Sequence, residues 1–334
     1  MDNGVLDSVK LCIIKNNMLG LSIIICGTFP QIPNELDENI KLTIGNVKYE
    51  IIYINNSLLK HSIFNVYNIG LEKSKYDYIC FMHQDILFLS NNWGEISIKR
   101  FQHSPIGLLG VIGAKYISEN ALGWWEAKDK CGFAIDNSHG VMAFSSQYES
   151  VSCVDGLWMI VRKDLYPQIK FDEDTFSGFH CYDMDLCLQI LYSGFEVAIE
   201  PSIKIFHNSG GNCSTLFYIN TLKLRNKYYN KLPISCKQYY FNIREHNAFN
   251  RNKSKFLLEK LLTGKISDSG LSDISFLCSP FKQLLKLALF LDHLFRNEQA
   301  ICSIFLYKIC FVLLRILRKI FQIFHRIFFS KKSS

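Results

Sequence analysis

The sequence predicts an α/β fold in which helices flank a mostly parallel sheet, with a helical region after it. Three observations lead to this prediction. Short apolar, β-branched segments alternate with helical ones over the first two-thirds of the 334 residues, as in βαβ units. Hydrophobic residues make up 49% and charged residues 20% of the chain, which is enough apolar material for a large buried core. Beyond residue 215 the pattern becomes helical.

Five segments have the character of buried strands. The first is bounded by Gly20 before it and by Gly27 and Pro30 after it. Uninterrupted apolar runs of this length are typical of parallel strands that are covered on both faces. The predicted strands are Leu21–Ile25, Tyr49–Ile54, Tyr78–Met82, Gly107–Ile112 and Leu157–Val161.

The predicted helices lie between these strands and after them. Residues 114–150 are rich in Gly, Ser and aromatic residues with weak periodicity, and we expect a long loop there. Pro233 and a polar stretch after it indicate a boundary, so we predict an α/β domain over residues 1–235 and a helical region over residues 236–334. The predicted helices are Ser62–Lys75, Trp93–Phe101, Phe217–Tyr229, Ser254–Leu262, Phe281–Phe295 and Ile301–Phe329.

The net charge of +7 is located at the end of the chain. No acidic residue follows Glu298, and the seven basic residues after it account for the whole excess of 37 basic over 30 acidic residues. This argues against a nucleic-acid-binding surface, which would spread its basic residues over the fold. In a helix over residues 301–329, Lys308, Arg315 and Arg326 share one basic stripe opposite a broad apolar face. Such a helix would lie on an anionic membrane surface, or pack on the protein with its basic stripe in water.

The cysteines bear on the cellular compartment. Twelve of them are scattered through the chain without a CxxC pair, and the N-terminus shows no signal-peptide pattern. Secreted disulfide-rich scaffolds are shorter and have regular cysteine spacing. We therefore expect a reduced, cytoplasmic protein.

Polar residues follow three of the predicted strands at the point where each strand ends. They are Gly27-Thr28, Asn55-Asn56-Ser57 and His83-Gln84-Asp85. Ligands of open α/β sheets bind beyond the carboxyl ends of the strands, so these segments predict a site along one edge of the sheet. Asp85 there is either an oxygen ligand for a divalent cation or the cap of a turn.

Other candidate functional residues allow two interpretations each. His207 follows the strand-like run Ile203–Phe206, and it is either a structural histidine or, with Asp85, part of a mixed site for Mn or Mg. Asp183 and Asp185 begin an apolar helix, where they either cap the helix or offer a general base to a bound hydroxyl. The pair Trp124-Trp125 either packs in the core or stacks on a sugar.

In their order and spacing, these segments resemble the GT-A glycosyltransferases, specifically the family-2-like bacterial enzymes, over residues 20–232. Leu21–Cys26 is similar to the family's opening strand, and Asn55-Asn56-Ser57 stands where Asp-Asn-Gly-Ser is usual. Asn68-Ile69-Gly70 matches the Asn-x-Gly that follows. His83-Gln84-Asp85 stands where Asp-x-Asp is expected, with His in the first place. Tyr182-Asp183-Met184-Asp185-Leu186 is similar to Glu-Asp-x-Asp-Leu, with Tyr in place of Glu.

The resemblance implies a Rossmann-like GT-A catalytic domain that transfers a sugar, with inversion, from a UDP-, TDP- or GDP-sugar to a saccharide acceptor, in hexosyltransferase-like chemistry. Asp183 would be the base, and Asp85 and His207, with His83 as a third candidate, would hold Mn²⁺ or Mg²⁺. The donor site would include Cys26, Gly27, Asn55, Ser57, Asn68, His83, Gln84 and Asp85. The acceptor or sugar site would include Trp124, Trp125, Asp155, Gly156 and Asp185.

Together with the basic tail, the resemblance implies a lipid-linked acceptor and a peripheral position on the inner face of the cell membrane. The pathway would be bacterial surface polysaccharide biosynthesis, of O-antigen lipopolysaccharide or capsule. The departures at His83 and Tyr182 leave an alternative, a catalytically degenerate GT-A-like protein that binds carbohydrate or nucleotide at the membrane. A structural membrane-associated scaffold is a third interpretation, and it predicts no affinity for nucleotides.

Overall fold

The computed structural model describes residues 18–102, 104–118, 123–127, 129–209, 215–228 and 231–236. The helices predicted from Ser254 onward, including the basic one over residues 301–329, lie outside the described residues. The predicted helical region over residues 236–334 is therefore represented by Cys236 alone. Among the described helices, none combines the length and the apolar character that crossing a membrane requires.

The described elements alternate between strands and helices in the first half of the chain. Two 3₁₀ turns, Trp124–Glu126 and Lys163–Leu165, accompany them. In chain order the elements are β1 (Leu21–Gly27), α1 (Asn34–Thr43), β2 (Tyr49–Asn55), α2 (Ile63–Lys73), β3 (Tyr78–Met82), β4 (Ile86–Phe88), α3 (Trp93–Gln102), β5 (Ile106–Gly110), β6 (Ile112–Ala114), β7 (Tyr116–Ile117), β8 (Lys130–Asp136), β9 (Gly140–Ala143), β10 (Glu149–Val151), β11 (Cys153–Val154), β12 (Trp158–Arg162), α4 (Tyr182–Tyr192), β13 (Glu196–Ile199), β14 (Ile205–His207), α5 (Thr215–Lys227) and β15 (Ile234–Ser235).

A seven-stranded sheet with the order β10-β13-β5-β12-β3-β1-β2 forms the centre of the fold. The strands β1, β2, β3, β5 and β13 run in one direction, whereas β12 and β10 run against their neighbours. The predicted α/β class, with a mostly parallel sheet flanked by helices, is confirmed. The two reversed strands could not be predicted, because the direction of a strand is set by its connections and not by its own residues.

A second sheet, with the order β11-β6-β8-β14-β4 and with β9 paired to β8, borders the first. Its strands β8 and β9 lie within residues 114–150, so the expectation of one long loop there is wrong. The residues of β9 are mostly exposed, and this exposure removes the apolar alternation by which a strand is recognised. The predicted strand Gly107–Ile112 is divided at Val111, because β5 belongs to the central sheet and β6 to the second one.

The start of helix α2 is set by a side-chain cap. The hydroxyl of Ser62 accepts a hydrogen bond from the backbone N–H of Asn65, so that Ser62 caps α2 and the helix begins at Ile63. The core between the helices and the central sheet is aromatic, and Trp93, Trp158 and Phe81 are fully buried in it. This core holds the carboxyl ends of β1, β2 and β3 in a fixed position.

Candidate active site

The three polar segments predicted at the sheet edge do come together. Strand β1 lies between β2 and β3, with Gly27 opposite Asn55. The side chain of Gln84 accepts a hydrogen bond from the backbone N–H of Thr28 (2.9 Å) and donates one to the Thr28 hydroxyl (2.6 Å). Gln84 thereby ties the loop after β3 to the loop after β1, which confirms that the segments share one edge.

Two of the predicted donor-binding residues, Asn55 and Ser57, form a turn together. The Asn55 carboxamide oxygen accepts hydrogen bonds from the backbone N–H (3.0 Å) and the hydroxyl (2.7 Å) of Ser57, which is an Asx turn. Cys26 is half-buried beside Asn56, and burial raises the pKa of its thiol to about 11. This thiol is therefore neutral, and it is suited to apolar contact with a ligand rather than to nucleophilic chemistry.

Gly27 is required where it stands, because Tyr53 covers it. A Cβ atom at Gly27 would lie 1.9 Å from the Tyr53 hydroxyl oxygen. That hydroxyl donates to the backbone carbonyl of Phe29 at 3.0 Å and so holds the loop after β1. The sequence analysis missed Tyr53 and Phe29, and their positions at the ends of β2 and β1 were the only available signal.

Asn68 was predicted to bind the donor, and the structure corrects this prediction. The residue is buried in α2, where its side-chain amide donates to the Phe171 carbonyl (2.8 Å) and its oxygen accepts from the Phe171 N–H (3.1 Å). Both polar groups of Asn68 thus anchor the segment before α4 to α2. The side chain supports the scaffold and does not face the strand edge.

The strongest metal-site candidate among the described residues is the trio of His83, Asp85 and His207, which we call the histidine–aspartate cluster. One potential ligand atom from each residue lies within 4.8 Å of the others. Asp85 directly precedes β4, whose Ile86 pairs with His207 of β14, and this antiparallel pairing joins residues distant in sequence. His207 Nε2 lies 3.5 Å from Asp85 Oδ1 and 3.2 Å from His83 Nδ1.

The charge states of this cluster follow from burial and from its members' proximity. Burial and the neighbouring His207 lower the pKa of His83 to about 4, so this ring is neutral. Burial opposes ionisation of Asp85, but the hydrogen bond from His207 and the charges of the two histidines lower its pKa below the usual value. A neutral imidazole and an ionised carboxylate are the forms in which these side chains bind divalent cations. Burial lowers the pKa of His207, but its hydrogen bond to Asp85 and the nearby carboxylates raise it overall, so a cation would bind with loss of the His207 proton. With that proton released, the three residues fit a divalent cation.

Both histidines have a polar neighbour at their other ring nitrogen. His207 Nδ1 lies 3.3 Å from Asp136 Oδ2, and Asp136 is buried at the end of β8. His83 Nε2 lies 2.6 Å from the hydroxyl of Tyr182, the first residue of α4. The sequence analysis missed Asp136, because nothing in the β8 sequence indicates that β14 lies beside it.

Asp183, the predicted base, lies in the first turn of α4 directly after Tyr182. Its Oδ2 accepts a hydrogen bond from the Gly156 N–H at 3.2 Å, and its Oδ1 accepts one from the Met184 N–H at 2.8 Å. Burial, followed by the negative charge of Asp155, raises the pKa of Asp183 to about 7. A carboxylate with a pKa near 7 is matched to proton abstraction at neutral pH.

Gly156 and Asp155, both predicted on the acceptor side, shape this part of the site. A Cβ atom at Gly156 would lie 2.2 Å from the Tyr182 hydroxyl oxygen, so only glycine lets that tyrosine reach His83. Asp155 Oδ2 accepts a hydrogen bond from the Trp124 indole at 2.7 Å. The turn of Asp155 and Gly156 thus sets the environment of Asp183.

Asp185 was predicted to bind the acceptor, and the structure corrects this prediction as well. Its side chain is buried, forms an ion pair with Lys227 (2.8 Å), and accepts hydrogen bonds from Tyr228 (2.9 Å) and Gln189 (2.7 Å). Lys227 and Tyr228 lie at the end of α5, so Asp185 fixes that helix to α4. Both oxygens of this carboxylate thus contact residues of the protein's own helices.

One tryptophan of the pair Trp124-Trp125 is a core residue, and the other is exposed as a sugar-stacking residue would be. Trp124 is buried and hydrogen-bonded to Asp155, as a core residue would be, whereas Trp125 is 40% exposed. Two aromatic residues not predicted from the sequence, Phe144 and Phe179, are 44% and 48% exposed. The ring centroid of Phe179 lies 5.2 Å from that of His83. Exposed aromatic surface therefore borders the histidine–aspartate cluster.

Comparison with known proteins identifies the family. Residues 28–233, more than half of the chain, match the model of a family described as "Glycosyltransferase like family". The chain belongs to this family of glycosyltransferases, and the resemblance drawn from the motifs is confirmed. A search of the curated proteins by sequence gave no match.

Several solved structures are similar to this one. GalNAc-T7 with UDP, GalNAc and Mn²⁺ is 11% identical over 75% of this chain and 58% of that one, with a TM-score of 0.41. TarS from S. aureus is 12% identical over 82% of this chain and 49% of that one, with a TM-score of 0.43. The catalytic domain of Drosophila β1,4-galactosyltransferase 7 with xylobiose is 14% identical over 68% of this chain and 78% of that one, with a TM-score of 0.37.

Proposed function

We propose that the protein is an inverting glycosyltransferase that moves a sugar from a nucleotide-sugar donor to a saccharide acceptor. The observation that carries this proposal is the carboxyl group of Asp183, with a pKa of about 7, next to a residue that contacts the histidine–aspartate cluster. A base and a candidate cation site are thus coupled through Tyr182. Membership of a glycosyltransferase family supports the reaction type.

In the proposed reaction, Asp183 removes the proton from an acceptor hydroxyl while the oxygen attacks the anomeric carbon of the donor sugar. The new glycosidic bond forms as the bond from that carbon to the diphosphate oxygen breaks. The nucleoside diphosphate leaves with the bonding electron pair, from the face opposite the attacking oxygen, and the configuration inverts. The raised pKa of Asp183 supports this role, because a more basic carboxylate accepts a proton more readily.

The donor would lie along the ends of β1, β2 and β3. We propose that Cys26, Gly27 and the Asn55–Ser57 turn contact the base and ribose, with Gln84 holding the loop above them. A divalent cation held by the histidine–aspartate cluster would neutralise the diphosphate and act as a Lewis acid for the leaving group. The residues of the cluster orient the donor toward Asp183.

The acceptor would lie against the exposed aromatic side chains. Aromatic side chains supply rigid contact area for a sugar face. Trp125, predicted on the acceptor side, and Phe179, which lies beside His83, are both exposed. We propose in addition that the acceptor is lipid-linked, in O-antigen or capsule synthesis, and that the basic helix over residues 301–329 binds the anionic inner face of the membrane. Flotation of the full chain with anionic vesicles tests the membrane binding. Wild type should float with the vesicles, whereas a variant with Arg315→Glu, Arg318→Glu and Lys319→Glu should remain in the unbound fraction.

Transfer assays test the proposed reaction. Wild-type protein, with Mn²⁺ or Mg²⁺ and a panel of UDP-, TDP- and GDP-sugars, should release nucleoside diphosphate, and Asp183→Asn should lower the turnover about 10²- to 10⁴-fold. Asp164→Asn is the matched control, because that carboxylate pairs with Arg162 on the surface instead. Equal turnover in both variants would refute the assignment of the base. Tight nucleotide binding without transfer for every donor would favour the binding protein over the enzyme.

A further inference from the structure

Two adjacent leucines are exposed in the loop between β2 and α2. Leu58 is 87% exposed and Leu59 is 57% exposed, and we call this pair the leucine tip. Leu58 is the most exposed large hydrophobic residue in the part of the chain that the structure describes. A single exposed leucine is common on soluble proteins, whereas exposed apolar side chains that lie together mark a surface that another body covers.

The base of this loop is closed by Asn56, which holds the leucine tip away from the core. The Asn56 side chain donates a hydrogen bond to the His61 carbonyl (2.9 Å) and accepts one from the His61 N–H (2.9 Å). The Asn56 carbonyl accepts from the Lys60 N–H (3.3 Å), and Lys60 has a left-handed backbone conformation with a φ of 50°. A loop that is ordered in advance presents its apolar side chains at a low cost in conformational entropy.

The neighbouring loop after β1 adds a third exposed apolar side chain. The Asn56 N–H donates to the Gly27 carbonyl at 2.7 Å, so the two loops leave the sheet edge side by side. Phe29, which follows in the loop after β1, is 54% exposed. Phe29 and the leucine tip together form what we call the apolar rim, at the carboxyl edge of the central sheet and beside the candidate active site.

The two loops of the apolar rim carry only positive charge. Residues 21–34 contain no charged side chain, and Lys60 is the only Lys, Arg, Asp or Glu between Glu50 and Glu72. Lys60 directly follows the leucine tip and is exposed. Apolar side chains followed by a lysine are complementary to an anionic lipid surface, because the apolar groups enter the acyl boundary while the ammonium group stays among the headgroups.

We propose that the apolar rim is a membrane-docking surface, in which the leucine tip inserts into the interface of an anionic lipid bilayer and Lys60 binds the lipid phosphates. This inference goes beyond the proposed function, because it rests on described residues beside the candidate site and not on the basic helix over residues 301–329 or on the transfer reaction. It also gives an orientation, since the carboxyl edge of β1 and β2 would face the lipid.

A lipid surface suits the apolar rim better than a second protein does. Protein interfaces are enriched in aromatic residues, methionine and arginine over a broad patch, whereas the rim offers two leucines, one phenylalanine and one lysine. Leu and Phe at the acyl boundary, with Lys beside them, are the combination that interfacial membrane segments use. At the end of the same loop, the Ile63 N–H donates to the Gly178 carbonyl (2.9 Å), next to Phe179. Docking of the rim would thus bring the proposed acceptor side of the site to the lipid.

Flotation of the full-length protein with vesicles of phosphatidylglycerol and phosphatidylcholine tests the proposal. A variant with Leu58→Gln and Leu59→Gln should bind about tenfold more weakly than wild type, because two apolar side chains no longer enter the lipid. The matched control, with Leu19→Gln and Leu42→Gln, should bind as wild type does. These two leucines are also exposed, but Leu19 precedes β1 and Leu42 lies in the last turn of α1, shortly before β2, at the opposite edge of the sheet.

The contribution of Lys60 is tested by changing the lipid. Lys60→Gln should weaken binding to the anionic vesicles about fivefold, because a lysine at the surface is attracted by its negative potential. Binding to vesicles of phosphatidylcholine alone should stay unchanged in this variant. Lys48→Gln is the control, since Lys48 is exposed directly before β2, and it should change neither. An equal loss on both kinds of vesicle would contradict binding of Lys60 to lipid phosphates.

A tryptophan placed in the leucine tip reports whether the tip enters the lipid. The emission gained in Leu58→Trp should be quenched by lipids brominated on their acyl chains, and the emission gained in Leu42→Trp should not. Unquenched emission from position 58, or wild-type binding by the Leu58→Gln, Leu59→Gln variant, would overturn the proposal. Self-association of wild type that this variant abolishes would also overturn it, because the rim would then bind a second copy of the chain.

These assays contain no nucleotide sugar, and they therefore separate this inference from the proposed function. Vesicle binding that depends on the leucine tip, in a protein that transfers no sugar, would refute only the proposed reaction. Conversely, the variant with Arg315→Glu, Arg318→Glu and Lys319→Glu changes the basic helix and leaves the rim intact. If only this variant loses vesicle binding, the membrane contact belongs to the basic helix alone and the inference about the rim is wrong.

Discussion

Replacing the proposed base should make the protein more stable while it strongly lowers turnover. Asp183 is buried, and its pKa is raised from 3.8 to about 7, first by burial and then by the charge of Asp155. The unfolded chain releases this proton near pH 3.8, whereas the folded protein holds it until pH 7. Between these values the folded state binds more protons, so the free energy of unfolding of the wild type falls as the pH rises.

The size of the effect follows from the pKa shift. A shift of about three units corresponds to about 4 kcal/mol of destabilisation above pH 7, at about 1.4 kcal/mol per unit. In Asp183→Asn this penalty is absent, but the amide has one acceptor oxygen for the two N–H groups of Gly156 and Met184. The lost hydrogen bond costs about 1 kcal/mol. We therefore expect a net stabilisation of about 3 kcal/mol at pH 8.

Denaturant unfolding at pH 4 and pH 8 measures this difference. At pH 4 the wild-type carboxyl is protonated in the folded state and about half protonated in the unfolded state, so most of the penalty is absent and the gain of Asp183→Asn over wild type should disappear or become slightly negative. Asp164→Asn, whose carboxylate pairs with Arg162 on the surface, is the control substitution for both pH values. A difference between wild type and Asp183→Asn that is the same at both pH values would refute the claim that burial raises this pKa.

Three further predictions concern the same site. The turnover of wild type should rise with pH through about 7 as Asp183 ionises. Asp155→Asn should move that rise to lower pH, because it removes a charge that raises the pKa of Asp183. A pH–rate profile of each protein measures both effects. Gly156→Ala should lose activity and several degrees of Tm in a thermal melt, because its Cβ would lie 2.2 Å from the Tyr182 hydroxyl, and an unchanged Tm would contradict this geometry. Trp125→Ala should raise the KM for the acceptor about tenfold, which corresponds to about 1.4 kcal/mol of lost binding free energy, and should leave donor hydrolysis unchanged. A change in the rate of donor hydrolysis would contradict the placement of Trp125 on the acceptor side.

The sequence was sufficient for the parts of the fold that depend on uninterrupted apolar runs. Strand β3 has the predicted bounds, Tyr78–Met82, because five apolar residues end at a polar tripeptide. The common edge of β1, β2 and β3 followed from their parallel order alone. By contrast, the second sheet includes strands of two to four residues, of which β9 is mostly exposed, and such strands carry no periodic signal.

The candidate site was predictable in its residues but less so in their roles. Asp185 has the spacing of a site residue, and its role was decided by Lys227 and Tyr228 of a later helix, which bury it. Asn68 likewise has a structural role, because its side-chain amide donates a hydrogen bond to the backbone carbonyl of Phe171. Asp136 lies beside His207 because β8 pairs with β14, and this pairing could not be predicted from the sequence of β8. Such partners depend on tertiary contacts, which no local pattern encodes.

The two departures from the family's usual motif bear on whether the site is active or degenerate. His83 replaces an expected Asp and Tyr182 replaces an expected Glu, and in the folded chain these two side chains are hydrogen-bonded at 2.6 Å. A site that has lost its function accumulates changes independently, and a polar side chain left buried without a partner would be the usual result. Here each replacement supplies the partner of the other, and Gly156 leaves the space in which they meet. The pairing therefore favours an altered working site over a degenerate one.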